Sequence, residues 1–269
     1  MKKILIAFPA IILFMQLNAQ KNIDGLIAAE RAFAKYALDK TTKQAFLQFM
    51  DSTALQFANG KPIKSSELWA KREDNKTILK WQPQFAEIAA SNVFGYTTGP
   101  WTFQNTEQDS IAARGQYTTV WHSNENGEWK FLVDFGHVNK MSNTMQEVKK
   151  ITVLKTTKAD EQSLLQAQQS FNKIAAINLQ AAYQKFLSVQ SILNRSELLP
   201  LTNKFEQLTT LKDLTTGISF NIQGSGIAGS GDIGYVYGAT TYKEKTDNYL
   251  HIWRHEKTGW KLAAVVIHL

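Results

Sequence analysis

Gly95-Tyr96-Thr97-Thr98-Gly99, followed by Phe103, returns 139 positions later as Gly234-Tyr235-Val236-Tyr237-Gly238, followed by Tyr242. Downstream, Trp121, Gly127 and Trp129-Lys130 reappear as Trp253, Gly259 and Trp260-Lys261 at offsets of 131 or 132. Upstream, Phe33, Phe46 and Phe49 find counterparts in Phe171, Tyr183 and Phe186 at 137 or 138. A period of about 140 residues is too long for a solenoid unit and suits a whole domain. The chain therefore reads as two copies of one domain.

Each copy runs from helix to sheet. Between Ile23 and Phe49, the residues Leu26, Ala29, Phe33 and Ala37, then Phe46 and Phe49, recur at three- and four-residue steps, the spacing of one-faced helices. From Phe85 the pattern changes to alternation and turn signals: Ala90-Ser91-Asn92, then Tyr96 to Phe103, Arg114 to Trp121 and Trp129 to Phe135. Asn126-Gly127 predicts a tight hairpin between the last two runs, since both central residues of such a turn favour positive φ. In the second copy, helices are expected from Asp160 to about Leu193. Strands are expected near Phe205 to Leu211, Ser219 to Gln223, Ile233 to Tyr242, Tyr249 to Arg254 and Trp260 to His268. Helices first and an antiparallel sheet afterwards make the fold α+β. The boundaries are a leader at 1–20, a first domain at 21–140, a polar, lysine-rich connection at 141–159 and a second domain at 160–269. Within the connection, Ile151-Thr152-Val153-Leu154 is either a short extra strand or plain linker.

A hydrophobic fraction of 43% and a charged fraction of 20% over 269 residues describe a globular protein of two ordinary domains. The formal charge of +7 is spread over scattered lysines and arginines, so no nucleic-acid footprint emerges. A mildly basic surface favours anionic ligands or serves solubility alone. Met1-Lys2-Lys3, the apolar stretch Ile4 to Leu17 and Asn18-Ala19-Gln20 have the three parts of an export signal. The apolar stretch is shorter than the roughly 20 residues needed to span a bilayer. The expectation is a mature protein in the periplasm or outside the cell, with no membrane anchor after cleavage; an uncleaved anchor helix is the other reading. Without cysteine there is neither a disulfide nor a thiol nucleophile.

At this point the residues carry a resemblance. Helices followed by Gly-Tyr-Xaa-Xaa-Gly, a strand ending in Trp121, the Asn-Gly turn and Trp129-Lys130-Phe131-Leu132-Val133-Asp134 resemble a SnoaL-like domain of the nuclear transport factor 2-like superfamily. Ser230-Gly231-Asp232-Ile233-Gly234-Tyr235 with Gly259-Trp260-Lys261-Leu262 is similar to the same pattern. The resemblance implies a cone, in which a curved antiparallel sheet wraps helices and leaves a pocket at its open end. It also implies domains that pair through their sheets, here within one chain; a homodimer stays open. The superfamily includes polyketide cyclases, ketosteroid isomerases, dehydratases and members with no chemistry, so the fold alone does not choose.

The candidate residues follow from the strand Trp129 to Gly136. Strict alternation puts Trp129, Phe131, Val133 and Phe135 on one face and Lys130, Leu132 and Asp134 on the other. Asp134 is the one carboxylate in this apolar run. Desolvated, it would gain a raised pKa and serve as a proton-abstracting base; paired with Lys130 or Arg114, it would be structural. It aligns with Val265, so only the first domain would be active. His137 and His268 occupy equivalent places, as a proton carrier and a ligand contact or as strand-end residues bonded to backbone. Tyr117 is the candidate donor to a developing enolate. Trp69, Trp81, Trp101 and Trp121 crowd the first domain. Trp69 and Trp81 flank Lys71-Arg72-Glu73-Asp74, at a pocket mouth where they could clamp a flat ligand. His251 and His255 are spaced unlike a zinc pair, so neither metal nor cofactor is expected. Gly224-Ser225-Gly226-Ile227-Ala228-Gly229 leads into a strand and reads as a hairpin loop, not a dinucleotide site.

Three functions remain. First is binding of a small apolar or anionic molecule in the first domain. Next is an enzyme of the cyclase, isomerase or dehydratase kind, with Asp134 as base; third is a scaffold with both cones filled. A roomy pocket with Asp134 buried and unpaired favours the enzyme, and a salt-bridged Asp134 favours binding.

Overall fold

Asn22 opens the first helix, its side-chain oxygen accepting from the Gly25 amide at 2.8 Å and satisfying one of the donors a helix start leaves unpaired. In the computed structural model, which describes residues 21–139, 147–156, 158–212, 214 and 217–268, α1 (Ile23–Asp39) then turns Leu26, Glu30, Phe33 and Ala37 inward. The expected leader, 1–20, and the 141–146 part of the connection lie outside the described residues. Thr41 caps α2 (Thr42–Phe49), and the chain passes directly into β1 (Met50–Ala58). There follow β2 (Lys61–Lys64), α3 (Ser65–Lys71), β3 (Ile78–Trp81), β4 (Phe85–Ile88), β5 (Phe94–Gln104), β6 (Ala113–Ser123), β7 (Trp129–Val138) and β8 (Lys149–Lys150). A second unit is built from α4 (Glu161–Ala175), α5 (Leu179–Phe186), β9 (Leu187–Arg195), α6 (Lys204–Thr209), β10 (Ser219–Ile227), β11 (Ile233–Tyr242), β12 (Lys245–Glu256) and β13 (Gly259–Ile267).

The first sheet has eight strands in the order β2-β1-β7-β6-β5-β4-β8, with β3 also paired to β5; the second has five, β10-β11-β12-β13-β9. In each, the strand after the helix pair lies parallel to the last long strand, and the long strands form an antiparallel meander. The fold is α+β, with each helix pair packed into its own sheet: Leu26, Phe33 and Phe46 meet Trp121 and Phe131, and Leu164, Phe171 and Tyr183 meet Trp253 and Leu262. A third apolar cluster lies between the sheets, where Tyr96, Val120, Val133 and Phe135 face Ile192, Leu250, Ala264 and Val266. Close approach within the sheets relies on glycine: a Cβ on Gly99 would lie 1.9 Å from the Gln82 carbonyl oxygen, and one on Gly238 1.8 Å from that of Asn221.

Several expectations shift. The helix expected to run to about Leu193 ends at Phe186, because Leu187–Arg195 pairs with β13. The strand expected near Phe205 is α6, started by Asn203, whose side chain accepts from the Phe205 and Glu206 amides. At Asn126-Gly127 only Gly127 takes positive φ, and its amide donates to Asn124, giving a type I turn with a left-handed glycine. Two successive positive φ values occur instead at Asn59-Gly60, between β1 and β2, and at Lys243-Glu244, where neither residue type advertises it. Gly224 and Gly226 belong to β10, and the turn to β11 follows them. In the connection, Lys149–Lys150 is the strand, pairing with Phe85 and Ala86, and the Ile151 amide continues onto Ala86.

Candidate functional site

A β-bulge decides what faces the inside of the first unit. Val120 pairs with Val133 but Trp121 with Phe131, so Leu132 is an extra residue and the alternation of β7 changes phase there. Trp129 and Phe131 point toward the helices, whereas Val133 and Phe135 join the cluster between the sheets. The single face expected for all four is thus split, and Asp134 and Gly136 turn into a cavity of about 720 Å³. Its apolar walls include Phe33, Phe46, Trp69, Trp81, Trp101 and Phe103; Lys43, Arg72, Glu73, Asn75 and Thr77 also line it, and so does Tyr117.

Asp134 has no ion-pair partner among the described residues. Thr119 donates its hydroxyl to one carboxylate oxygen at 2.8 Å, and the Gln56 amide nitrogen donates to the other at 3.1 Å. The Gln56 orientation is fixed from behind: the Trp69 indole N–H, which can only donate, binds the Gln56 oxygen at 2.7 Å and leaves the NH₂ for Asp134. Lys130 instead donates to the Gln48 carbonyl, and among the described residues neither Lys130 nor Arg114 forms an ion pair with Asp134. Burial pushes Asp134 up to about 6, against the pull of the Thr119 and Gln56 hydrogen bonds.

A second acid, Glu30, sits fully buried behind the aromatic wall. It accepts from Trp81 Nε1 at 2.7 Å, Trp121 Nε1 at 3.0 Å and the Thr97 hydroxyl at 2.5 Å. Burial is the main cause that pushes it up to about 7; the charge of Asp134 adds, and the three hydrogen bonds oppose. Tyr117 is raised by burial and then by the charges of Glu30 and Asp134, which keeps it a phenol. Its hydroxyl is buried without a geometrically satisfied partner among the described residues.

Of the candidate residues, Asp134, Tyr117, Trp69, Trp81 and Trp101 meet around one cavity. Trp121 is fully buried and does not line the cavity; it stands behind the wall, donating to Glu30 and packing on Phe33. His137 and His268 do not line the cavity. Past the bulge, His137 shares the phase of Val133 and Phe135, and its ring faces that of His268 across the interface, 5.6 Å between centroids. Burial, with His268 adding, drives His137 down to about 3, so it stays neutral and away from the site; the proton-carrier role does not fit this placement. His268 Nδ1 lies 3.0 Å from Asp247, and its ring packs on Phe135.

Glu30, Gln56 and Thr119 were not among the candidates. Glu30 carried a signal, being a charge on the stripe Leu26-Glu30-Phe33-Ala37. Gln56 and Thr119 carried none. In the second unit the corresponding positions are Gln168, whose Oε1 accepts from Trp253, and Val265 and Ile267 in place of Asp134 and Gly136. There Phe171, Tyr183, Phe220, Tyr249 and His251 pack ring against ring. Among the described residues, no group of three or more histidines, aspartates or glutamates is placed to hold a metal ion.

No family model matches the chain, and no curated protein does. Solved structures do resemble it. An NTF-2-like protein of unknown function from Shewanella oneidensis is 15% identical, covering 42% of this chain and 96% of its own, with a TM-score of 0.35. One from Silicibacter pomeroyi is 12% identical over 39% of this chain and 91% of its own, at 0.33. A conserved protein from Planctomyces limnophilus is 14% identical over 40% and 94%, also at 0.33.

Proposed function

We propose that the cone of the first unit binds a small, largely apolar carbonyl compound and that Asp134 removes a proton from the carbon beside its carbonyl, as in isomerase, cyclase or dehydratase chemistry. The observation that carries this reading is a partly buried carboxylate held, among the described residues, by the neutral donors Thr119 and Gln56 at an open cavity. A base with a pKa of about 6 is largely ionised at neutral pH yet still basic enough to take a proton. As the C–H bond breaks, its electron pair moves to the carbonyl oxygen, and Tyr117, which lines the cavity and stays a phenol, is the residue assigned to donate to that oxyanion. Trp69 and Gln56 position Asp134 and do not react. The second unit, a tandem copy with its cone filled, supports the first through the sheet contact. The leader reading assigns the activity to the periplasm or the exterior.

β-Tetralone, a planar ketone with acidic α-protons, supplies the test. Its exchange in deuterium oxide, followed by NMR, should be accelerated by the wild type. Asp134→Asn should reduce that acceleration about a hundred- to ten-thousand-fold while calorimetry shows the ketone still bound. Equal exchange in both proteins refutes the role of Asp134. Binding without exchange in the wild type would leave a binding protein, the reading favoured by the aromatic walls alone.

A further inference from the structure

Arg72 is the feature of the cavity that proton abstraction leaves unused. It follows α3 directly, lines the cavity, and its guanidinium lies over the Trp69 ring, 4.4 Å from the centroid. The other cation lining the cavity, Lys43, is occupied: its ammonium donates to the Ala70 and Arg72 carbonyls at 3.2 and 2.7 Å. Arg72 has no such engagement, for among the described residues no carboxylate lies within ion-pair distance of its guanidinium. It is exposed at the cavity rim, open to an incoming ligand, and partial desolvation lowers it. Five N–H donors in a planar fork match a planar carboxylate bidentately.

The same indole connects Arg72 with the base. Trp69 carries Arg72 on its face and donates its N–H to Gln56, which donates to Asp134. Phe46 stacks on Trp69 at 4.1 Å between centroids, so the indole is a fixed spacer. We infer that the ligand of this cavity is a planar organic acid whose carboxylate pairs with Arg72, about one indole length from the carbon presented to Asp134. The inference rests on the cavity being the ligand site, and adds a ligand class and a specificity-determining residue.

The test reads binding, not turnover. β-Naphthoate and its neutral analogue β-naphthylmethanol are titrated by calorimetry into wild type, Arg72→Gln and Arg72→Lys. The wild type should prefer the acid by about tenfold or more, and the preference should weaken in raised salt. Arg72→Gln should erase the preference while holding the alcohol within about twofold of its wild-type affinity; Arg72→Lys should keep part of it. An acid preference that survives in Arg72→Gln, or is absent from the wild type while the alcohol binds, overturns the Arg72 assignment and leaves the cavity as the site. If neither compound binds the wild type, the cavity reading fails with it. Loss of tetralone exchange alone would leave the Arg72 result standing.

Discussion

Glu30 is the residue on which the first unit's polar interior turns. Its folded pKa of about 7 lies above the ordinary 4.5, so the folded protein holds the proton more tightly than the unfolded chain. The resulting stabilisation is complete below pH 4.5 and is lost as the pH rises through 7. A shift of this size corresponds to about 3 kcal/mol. His137 and His251, both driven down to about 3 by burial, act at the other end, removing stability as the pH falls from 6.5 toward 3. Glu30→Gln copies the amide already present as Gln168 under Trp253. Urea unfolding from pH 4.5 to 8 should show the wild type losing about 3 kcal/mol relative to this variant, the histidine contributions cancelling because both proteins carry them. A difference that does not change with pH would mean that Glu30 is not held protonated.

At the scale of elements, the bulge in β7 and the glycine beyond it make the cavity. Leu132 shifts the phase, so Asp134 faces inward and the next inward position is Gly136. A Cβ at Gly136 would meet only Trp101 Nε1, at 3.8 Å. The corresponding strand, β13, has the same irregularity between Ala264 and Leu262, but carries Val265 and Ile267. Gly136→Ile should therefore fill the first cone as the second is filled. β-Naphthylmethanol affinity should fall by about tenfold or more, while the thermal midpoint holds or rises, because the added side chain occupies space without displacing backbone. Unchanged affinity would place the ligand elsewhere.

Across the whole molecule, the two sheets are tied by a fully buried ion pair. Arg254 of β12 donates to both oxygens of Glu87 of β4 at 2.6 and 2.5 Å, with Ser188 and Glu256 on its other nitrogen. Lys155, from the connection, approaches Glu87 at 3.6 Å. Removing one partner leaves a buried charge uncompensated, so Arg254→Met should cost about 3–5 kcal/mol in urea unfolding. Adding Glu87→Leu to that variant should recover most of the loss, since paired apolar replacements need no desolvation. A double variant no more stable than the single one would show that the pair is not coupled.

The order of elements was legible because it depends on local periodicity: Leu26, Phe33 and Ala37 can share a buried face only on a helix, and the runs around Tyr96, Trp121 and Phe131 only suit strands. The correspondence of Phe49 with Phe186 even contained the end of α5, which the apolar run beyond it obscured. Asp134, Tyr117 and three of the tryptophans were legible as chemistry, and Glu30 as a charge on an apolar stripe. Strict alternation could not assign β7 faces, since a bulge is fixed by the partner strand, and this is why His137 falls at the interface. Arg72 was legible as part of the charged segment at the pocket mouth, whereas Gln56 and Thr119 had no local signature, because their meaning comes from neighbours distant in sequence. The sequence by itself determined which segments are helix and strand, through periodicities a few residues long; only the tertiary structure decided which cone stays open and which acid faces it, because packing and desolvation are set by contacts between distant parts of the chain.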